Sequence, residues 1–549
     1  MGKRQDACRF KPNNRQSRAK LNPDCLRMSS GYCRSAKNST RRSLNLTNPM
    51  WNSLFAPHAG SQKPFMILRD GSEISFDAFL RMAARFANAL GAAGVKTGDR
   101  VAVQVKKSPQ ALGVYAACVA TGAVFLPLNT AYTATEIAYF VNDAEAALLL
   151  CDGGSLEALT PVARDAGAAI LTLNADGSGS FADLAAGQAD TFAPVTRGSD
   201  DLAAILYTSG TTGRSKGAML TQDNLLSNAE SLVEYWRFTE ADVLLHALPI
   251  FHTHGLFVAS NVMLLAGGAM IFLPGLDMDA MFEFMPRATA MMGVPTFYTR
   301  LLSDKRLTRE AVAHMRLFVS GSAPLLAETH REFEAMTGHR ILERYGMTET
   351  NMNTSNPYDS ERRAGTVGFP LPGVSVRVAD AETGRLLGAD EVGVLEVKGR
   401  NVFKGYWRMP EKTAEEFRAD GWFITGDLAT IGADGYVTIV GRAKDLIISG
   451  GYNIYPKEIE LLLDEEHGVQ ESAVIGVPHP DFGEAVVAAL VAKAGASLQE
   501  EAVLAAIRDR IARFKQPKRI FILDELPRNT MGKVQKNVLR ERWKGLFAR

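Results

Sequence analysis

Residues 207–217 read YTSGTTGRSKG, a run that mixes glycines, hydroxyl side chains and a lysine. Gly210, Gly213 and Gly217 permit backbone angles that turn several N–H groups into one concavity. Thr208, Ser209, Thr211 and Thr212 add hydroxyl donors, and Lys216 adds a cation. Such a loop can hold an anion with many oxygens, a phosphate above all. Its spacing is not that of GxxxxGK[ST], because Lys216 follows Gly213 by three positions and precedes Gly217. The apolar run 202–206 precedes it and a helical pattern begins at about Gln222, so the expected order is strand, loop, helix. Taken alone, a loop of this composition also describes a solvated turn.

Further stretches point the same way. SGSAPL stands at 320–325, YGMTET at 345–350, TGD at 425–427, GRAKDLIISGGYNIYPKEIE from Gly441, and PRNTMGK at 527–533. Together with the first loop, and in this order, they resemble the signature motifs of the acyl-adenylate-forming superfamily: acyl-CoA synthetases, adenylation domains of peptide synthetases, and luciferases. The resemblance implies a two-step reaction. A carboxylate attacks the α-phosphorus of ATP, giving an acyl-adenylate and pyrophosphate, and a thiol then displaces AMP. Neither step needs a protein nucleophile; both need positioned cations and donors where charge develops.

The roles implied by resemblance are as follows. Lys533 in PRNTMGK reaches the attacking carboxylate and the α-phosphate, and Glu349 holds Mg²⁺ through a hard oxygen. Tyr345 faces adenine, opposite the loop that carries Gly321 and Ser322, while Gly346 and Thr348 complete the nucleotide wall. Asp427 and Arg442 take the ribose. Lys444 is the hinge about which a small C-terminal domain turns, bringing Lys533 for the first step and Gly450 and Gly451 for the second, where the pantetheine arm of coenzyme A passes close to backbone. A solvated lysine, a surface glutamate, a core tyrosine, structural ion pairs and a simple turn are the plain alternatives for these positions.

His252, in HALPIFHTHGLF, corresponds to a gate beside the reacting carboxylate; His254 follows two residues later, but no third ligand nearby makes a metal site. Over residues 50–549 the strings ALPIFHTHGLFVASN, GVPTFYTRLL, RYGMTETNMNTSNPYD and LPRNTMGKVQKNVLR resemble malonyl-CoA synthetases. That subfamily implies malonate, ATP and coenzyme A as substrates, with methylmalonate or another short acid as alternatives. The unreacted carboxylate then requires a buried cation, and Arg300 and Arg362 are the expected candidates. An adenylation domain, a non-catalytic nucleotide-binding relative and a serine hydrolase are the rival readings. The chain shows no carrier domain and keeps Lys533, Glu349, Asp427 and Arg442, and Ser320-Gly321-Ser322 lacks the spacing of a GxSxG elbow.

The elements that must position these residues are legible in outline. At 549 residues and 46% hydrophobic, the chain can bury a sizeable core and divide into domains. Residues 1–49 hold twelve Lys/Arg against Asp6 and Asp24, so the remainder carries about −9 although the whole chain is +1. A mildly acidic body has no nucleic-acid footprint. The basic, proline-broken leader reads as disordered, either an organelle transit peptide or an upstream extension before Met50. None of the five cysteines has disulfide-framework spacing, which fits a reducing, cytoplasmic compartment. Residues 111–128 lack charge, but Ser108, Pro109 and Gly122 divide them into a core helix and a strand rather than a membrane span.

From about 75 to 342, apolar strand-like runs alternate with helical stretches, implying parallel sheets flanked by helices. After Thr366 short β-rich pieces resemble the superfamily's small β-barrel subdomain, and from Arg442 strands and helices suggest a small mobile α+β domain. The expected fold is α/β, with a large AMP-binding domain over 50–441 and a C-terminal domain over 442–549.

Overall fold

The computed structural model describes residues 48–208, 215–449, 452–508, 510–529 and 532–548. The leader through residue 47, where Cys8, Cys25 and Cys33 fall, lies outside these. Asn48 and Pro49, read above as leader, belong to the folded body: Asn48 is buried and its Nδ2 donates to the Val119 carbonyl at 2.8 Å.

A six-stranded sheet runs Ala169–Thr172, Ala146–Cys151, Arg100–Gln104, Val124–Pro127, Leu202–Thr208, Lys216–Thr221. Its pairings are parallel except the last. The chain feeds those parallel strands through helices such as Pro109–Thr121, capped by Ser108 Oγ on the Ala111 N–H at 3.1 Å and ended by Gly122 at φ 69°. The uncharged segment is therefore a core helix followed by a strand. Among the described residues no helix is long and apolar enough to cross a membrane.

A nine-stranded sheet has the parallel strands Leu342–Met347, Leu317–Ser320, Ala290–Gly293, Val243–His246 and Ala269–Phe272 at its centre. Their carboxyl ends open onto the same face, where ligands of α/β sheets bind. The central strands read as near-continuous apolar runs because helices cover both faces.

Residues 374–442 form an antiparallel meander of four strands: Val374–Ala379, Gly393–Gly399, Phe423–Ile431 and Val437–Arg442. Its strands pair in chain order from first to last. The chain then crosses a short turn, Ala443–Asp445, into a separate five-stranded sheet. There Gly483–Ala492 pairs with Val469–His479 on one side and Arg519–Leu523 on the other, over helices Pro456–Asp464 and Glu500–Ile507. This last sheet has its own core, centred on Ile447, Ile459, Val474 and Leu490.

One expectation fails locally. Leu202–Thr208 returns directly as the antiparallel strand Lys216–Thr221, and only then does helix Gln222–Tyr235 begin, behind a reciprocal Thr221–Asn224 cap. The glycine-rich stretch is thus a hairpin connection, and no helix N-terminus follows it directly.

Candidate active site

The hairpin Leu342–Met347 and Asn351–Ser355 carries the YGMTET motif and places Arg344, Tyr345, Gly346, Thr348 and Glu349 at the sheet's carboxyl edge. Gly346 is required there, because a Cβ would lie 1.9 Å from the Asn351 carbonyl oxygen. Glu349 is buried, and its Oε1 lies 3.5 Å from Thr208 Oγ1 and 3.1 Å from the Tyr406 hydroxyl. Burial pushes its carboxyl above the usual range. The described ends of the glycine-rich loop therefore meet the YGMTET motif directly. Ser209, Gly210, Thr211, Thr212 and Gly213 lie outside the described residues, as do Gly450 and Gly451.

Lys216 Nζ sits 2.8 Å from Glu416 Oε1 and 4.0 Å from the Tyr406 ring centre. Tyr406 also donates to Glu416 Oε2 at 2.6 Å, so Tyr406 and Glu416 hold the lysine beside Glu349. Neither residue was singled out in the sequence; Tyr406 falls in the string NVFKGYWRMPEKT at 401–413, and Glu416 lies three residues beyond it.

Asp427 and Arg442 face each other across paired strands, with Arg442 Nε 2.6 Å from Asp427 Oδ1. The other carboxylate oxygen accepts from Tyr345 at 2.5 Å. Burial and the Asp427 charge hold the Tyr345 phenol well above its usual range, so it stays a donor. The three form one unit at the mouth of the cavity.

Lys533 arrives from the C-terminal sheet. The turn bearing it is tied by Asn529, whose N–H donates to the Lys533 carbonyl and whose Oδ1 accepts the Lys533 N–H, both at 2.9 Å. Burial pushes its ammonium below the usual lysine range, and Arg442 and Arg344 press the same way while Asp427 and Glu349 oppose them. The lysine is therefore within electrostatic reach of Asp427 and Glu349. It also bears on His252, which burial and then the Lys533 charge push down to about 4. His252 is neutral at physiological pH, and its Nε2 has no hydrogen-bond partner among the described residues.

Lys444 lies in the turn between the two final sheets. Arg442 before it pairs with Asp427, while Asp445 after it binds Arg540 of the C-terminal helix Lys536–Trp543 at 2.7 Å. Attachment to one lobe thus ends and attachment to the other begins within three residues.

Arg362 and Arg300 are the two arginines expected to hold a second carboxylate. Arg362 donates to the backbone carbonyls of Pro357, Tyr358 and Arg340. Arg300 is exposed on helix Pro295–Leu302, turned about 200° around the axis from Tyr298. A third arginine, Arg344, stands on the YGMTET hairpin. It is 3% exposed, its Nε and Nη2 have no partner among the described residues, and burial pushes it down only to about 9, leaving it a cation at neutral pH. Its guanidinium lies against Gly321, where a Cβ would approach Cζ to 2.4 Å. Ser322, expected on the nucleotide wall, directs Oγ to His254 Nδ1 at 3.2 Å.

A divalent cation fits at Glu349. Among the described residues the buried carboxylate has hydroxyls but no cation directly bonded to it, and its hard oxygens with Thr208 Oγ1 suit Mg²⁺ shared with phosphates.

Comparison with known proteins decides the family. The family model described as "AMP-binding enzyme" matches residues 56–407, and "AMP-binding enzyme C-terminal domain" matches 458–533. The chain belongs to the AMP-binding enzymes. Within that family it is 36% identical over 481 residues to a malonate–CoA ligase of Arabidopsis thaliana, covering 82% of this chain and 78% of that protein. It is 35% identical over 505 residues to a feruloyl-CoA synthase of Amycolatopsis sp, covering 90% and 98%. The crystal structure of ATP-bound MatB from Rhodopseudomonas palustris superposes with a TM-score of 0.89 at 58% identity, over 91% of this AMP-binding enzyme and 99% of that chain.

Proposed function

We propose that the protein is an AMP-forming malonate–CoA ligase. One malonate carboxylate oxygen attacks the α-phosphorus of ATP and pyrophosphate leaves; the thiol of coenzyme A then attacks the acyl carbon and AMP leaves. Malonyl-CoA, AMP and pyrophosphate are the products.

Lys533 Nζ neutralises charge between the attacking carboxylate and the α-phosphate. Asp427, paired with Arg442, accepts from the ribose hydroxyls, and Tyr345 offers its ring to adenine. Lys216 and the glycine-rich loop hold the β- and γ-phosphates. Mg²⁺ held by Glu349 and Thr208, when bound, offsets triphosphate charge. His252 closes the acyl pocket as a neutral ring beside the reacting carboxylate.

The observation that carries the choice of acid is Arg344. Relatives support the same choice, since MatB at 58% identity stands well above the feruloyl-CoA synthase at 35%. A neutral aromatic acid would leave the Arg344 guanidinium buried without an anion, at a cost of several kcal/mol. A dicarboxylate supplies that anion. The test is pyrophosphate release with malonate, methylmalonate, succinate, acetate and ferulate. Malonate is expected to give the highest kcat/KM; preference for acetate or ferulate would overturn the assignment. A cytoplasmic location goes with this reading on the cysteine usage, and imaging of a C-terminally tagged full chain checks it.

A further inference from the structure

Two carboxylates, Glu349 and Glu416, stand on either side of one phenol. The Tyr406 hydroxyl is 2.6 Å from Glu416 Oε2 and 3.1 Å from Glu349 Oε1. Burial, and then the charges of the two acids, hold that phenol well above its usual range. It therefore keeps its single proton and gives it to the nearer oxygen, on Glu416. Glu349 serves Mg²⁺, whereas neither half-reaction calls on Glu416.

Glu416 is nevertheless built into place. Its side chain is 20% exposed at the end of the short helix Pro410–Glu415, and Oε1 meets two cations, Lys216 Nζ at 2.8 Å and Lys412 Nζ at 3.3 Å. Burial works to raise this carboxyl, but hydrogen bonds from Lys216 and Tyr406 outweigh it and hold Glu416 below the usual carboxylate range. Glu416 is thus an anion at neutral pH.

Lys216 is fixed by its backbone. The Trp407 N–H donates to the Gly217 carbonyl at 2.7 Å and the Met219 N–H to the Gly405 carbonyl at 2.9 Å, which ties strand Lys216–Thr221 to the segment bearing Tyr406. The freedom left to the lysine lies in its four-carbon stem. One ammonium cannot fully neutralise Glu416 and a phosphate together, because two anions on one cation repel each other. Lys412 remains on Glu416 when Lys216 turns away, so the exchange leaves no carboxylate unpaired in a partly buried place.

We propose that Glu416 is the internal counter-ion of Lys216, a positioning residue that competes with the β- and γ-phosphates for that lysine and so loosens the hold on ATP and on pyrophosphate. ATP spends part of its binding free energy in drawing Lys216 off Glu416. Pyrophosphate departs more readily because Glu416 takes the lysine back. Tyr406, bonded to the other oxygen, keeps the acid aimed. This inference rests on the reading of Lys216 as a phosphate ligand in an AMP-forming reaction.

The test titrates the full chain at neutral pH, in the presence of Mg²⁺, with pyrophosphate and separately with ATP in a calorimeter. Wild type, Glu416→Gln and Glu416→Asp are compared, and the thermal midpoint of each is recorded. A hydrogen bond between charged groups corresponds to roughly tenfold in binding, so Glu416→Gln, which keeps the shape and loses the charge, should bind both ligands about tenfold more tightly. Glu416→Asp keeps the charge but draws it back from Lys216, and its affinities should fall between those of Gln and wild type. A residue that only supported the fold would on removal weaken binding and lower the midpoint. Pyrophosphate affinity in Glu416→Gln that is weaker than wild type, or within about twofold of it, overturns the proposal. If Glu416→Gln fails to fold, Glu416→Asp decides: tighter pyrophosphate binding than wild type supports the counter-ion, equal or weaker binding overturns it. The pyrophosphate titration needs no acid substrate, so a protein that shows these shifts yet is inactive on malonate would sink the choice of acid and leave the role of Glu416 standing.

Discussion

Arg344 is the residue on which the choice of acid turns. Truncating one partner of a buried charge pair costs about 2–5 kcal/mol, so Arg344→Ala should lower kcat/KM for malonate by roughly 30- to 1,000-fold or more, read by pyrophosphate release. Arg344→Lys should not restore it fully, because an ammonium offers a point charge where a guanidinium offers a planar fork. Its neighbour Glu343 makes a different statement. Burial pushes that carboxyl up to about 8, with Oε1 accepting from the Leu325 N–H at 3.1 Å. The folded state thus holds a proton that the unfolded state releases near the ordinary glutamate value. Its stabilising contribution is complete below about pH 4.5 and is lost as pH rises to about 8. Glu343→Gln should therefore remove part of the fall in thermal midpoint between pH 5 and pH 8. An unchanged slope would contradict the protonated carboxyl.

At the scale of elements, the YGMTET hairpin is the part least tolerant of change. Gly346→Ala must displace either its own strand or Asn351, since 1.9 Å to a carbonyl oxygen admits no side chain. Loss of activity by at least tenfold with a lowered thermal midpoint is expected, checked by kinetics and calorimetry. This level was also where the sequence was most readable. Apolar runs at 101–105, 148–151 and 270–273 reappear as Arg100–Gln104, Ala146–Cys151 and Ala269–Phe272, because strands buried on both faces show themselves by composition. The return strand Lys216–Thr221 was hidden, since its six residues begin with the loop's own lysine and run straight into a helix cap. The motif positions Glu349, Asp427, Arg442 and Lys533 were legible as residue types, whereas their convergence was not, for it depends on three sheets meeting. The burial of Arg344 was hidden for the same reason: sequence shows burial only where it is periodic. The adjacent charges Glu343 and Arg344 within the strand-like ILERYGM were the available hint.

For the whole molecule, the orientation of the two lobes is what brings Lys533 to the ATP side. A peripheral ion pair, Lys493 to Glu328 at 3.1 Å, also joins them, but both side chains are nearly half exposed. Such pairs contribute about 0.2–1 kcal/mol, so Glu328→Ala should change kcat by no more than about fivefold. In the proposed mechanism Lys533 serves only the first half-reaction. Lys533→Ala is the decisive variant, assayed separately for pyrophosphate release from ATP and malonate and for malonyl-CoA formation from supplied malonyl-adenylate and coenzyme A. The account predicts a loss of roughly 100- to 1,000-fold in the first and a rate within a fewfold of wild type in the second. Equal loss in both, or an intact first step, would contradict it.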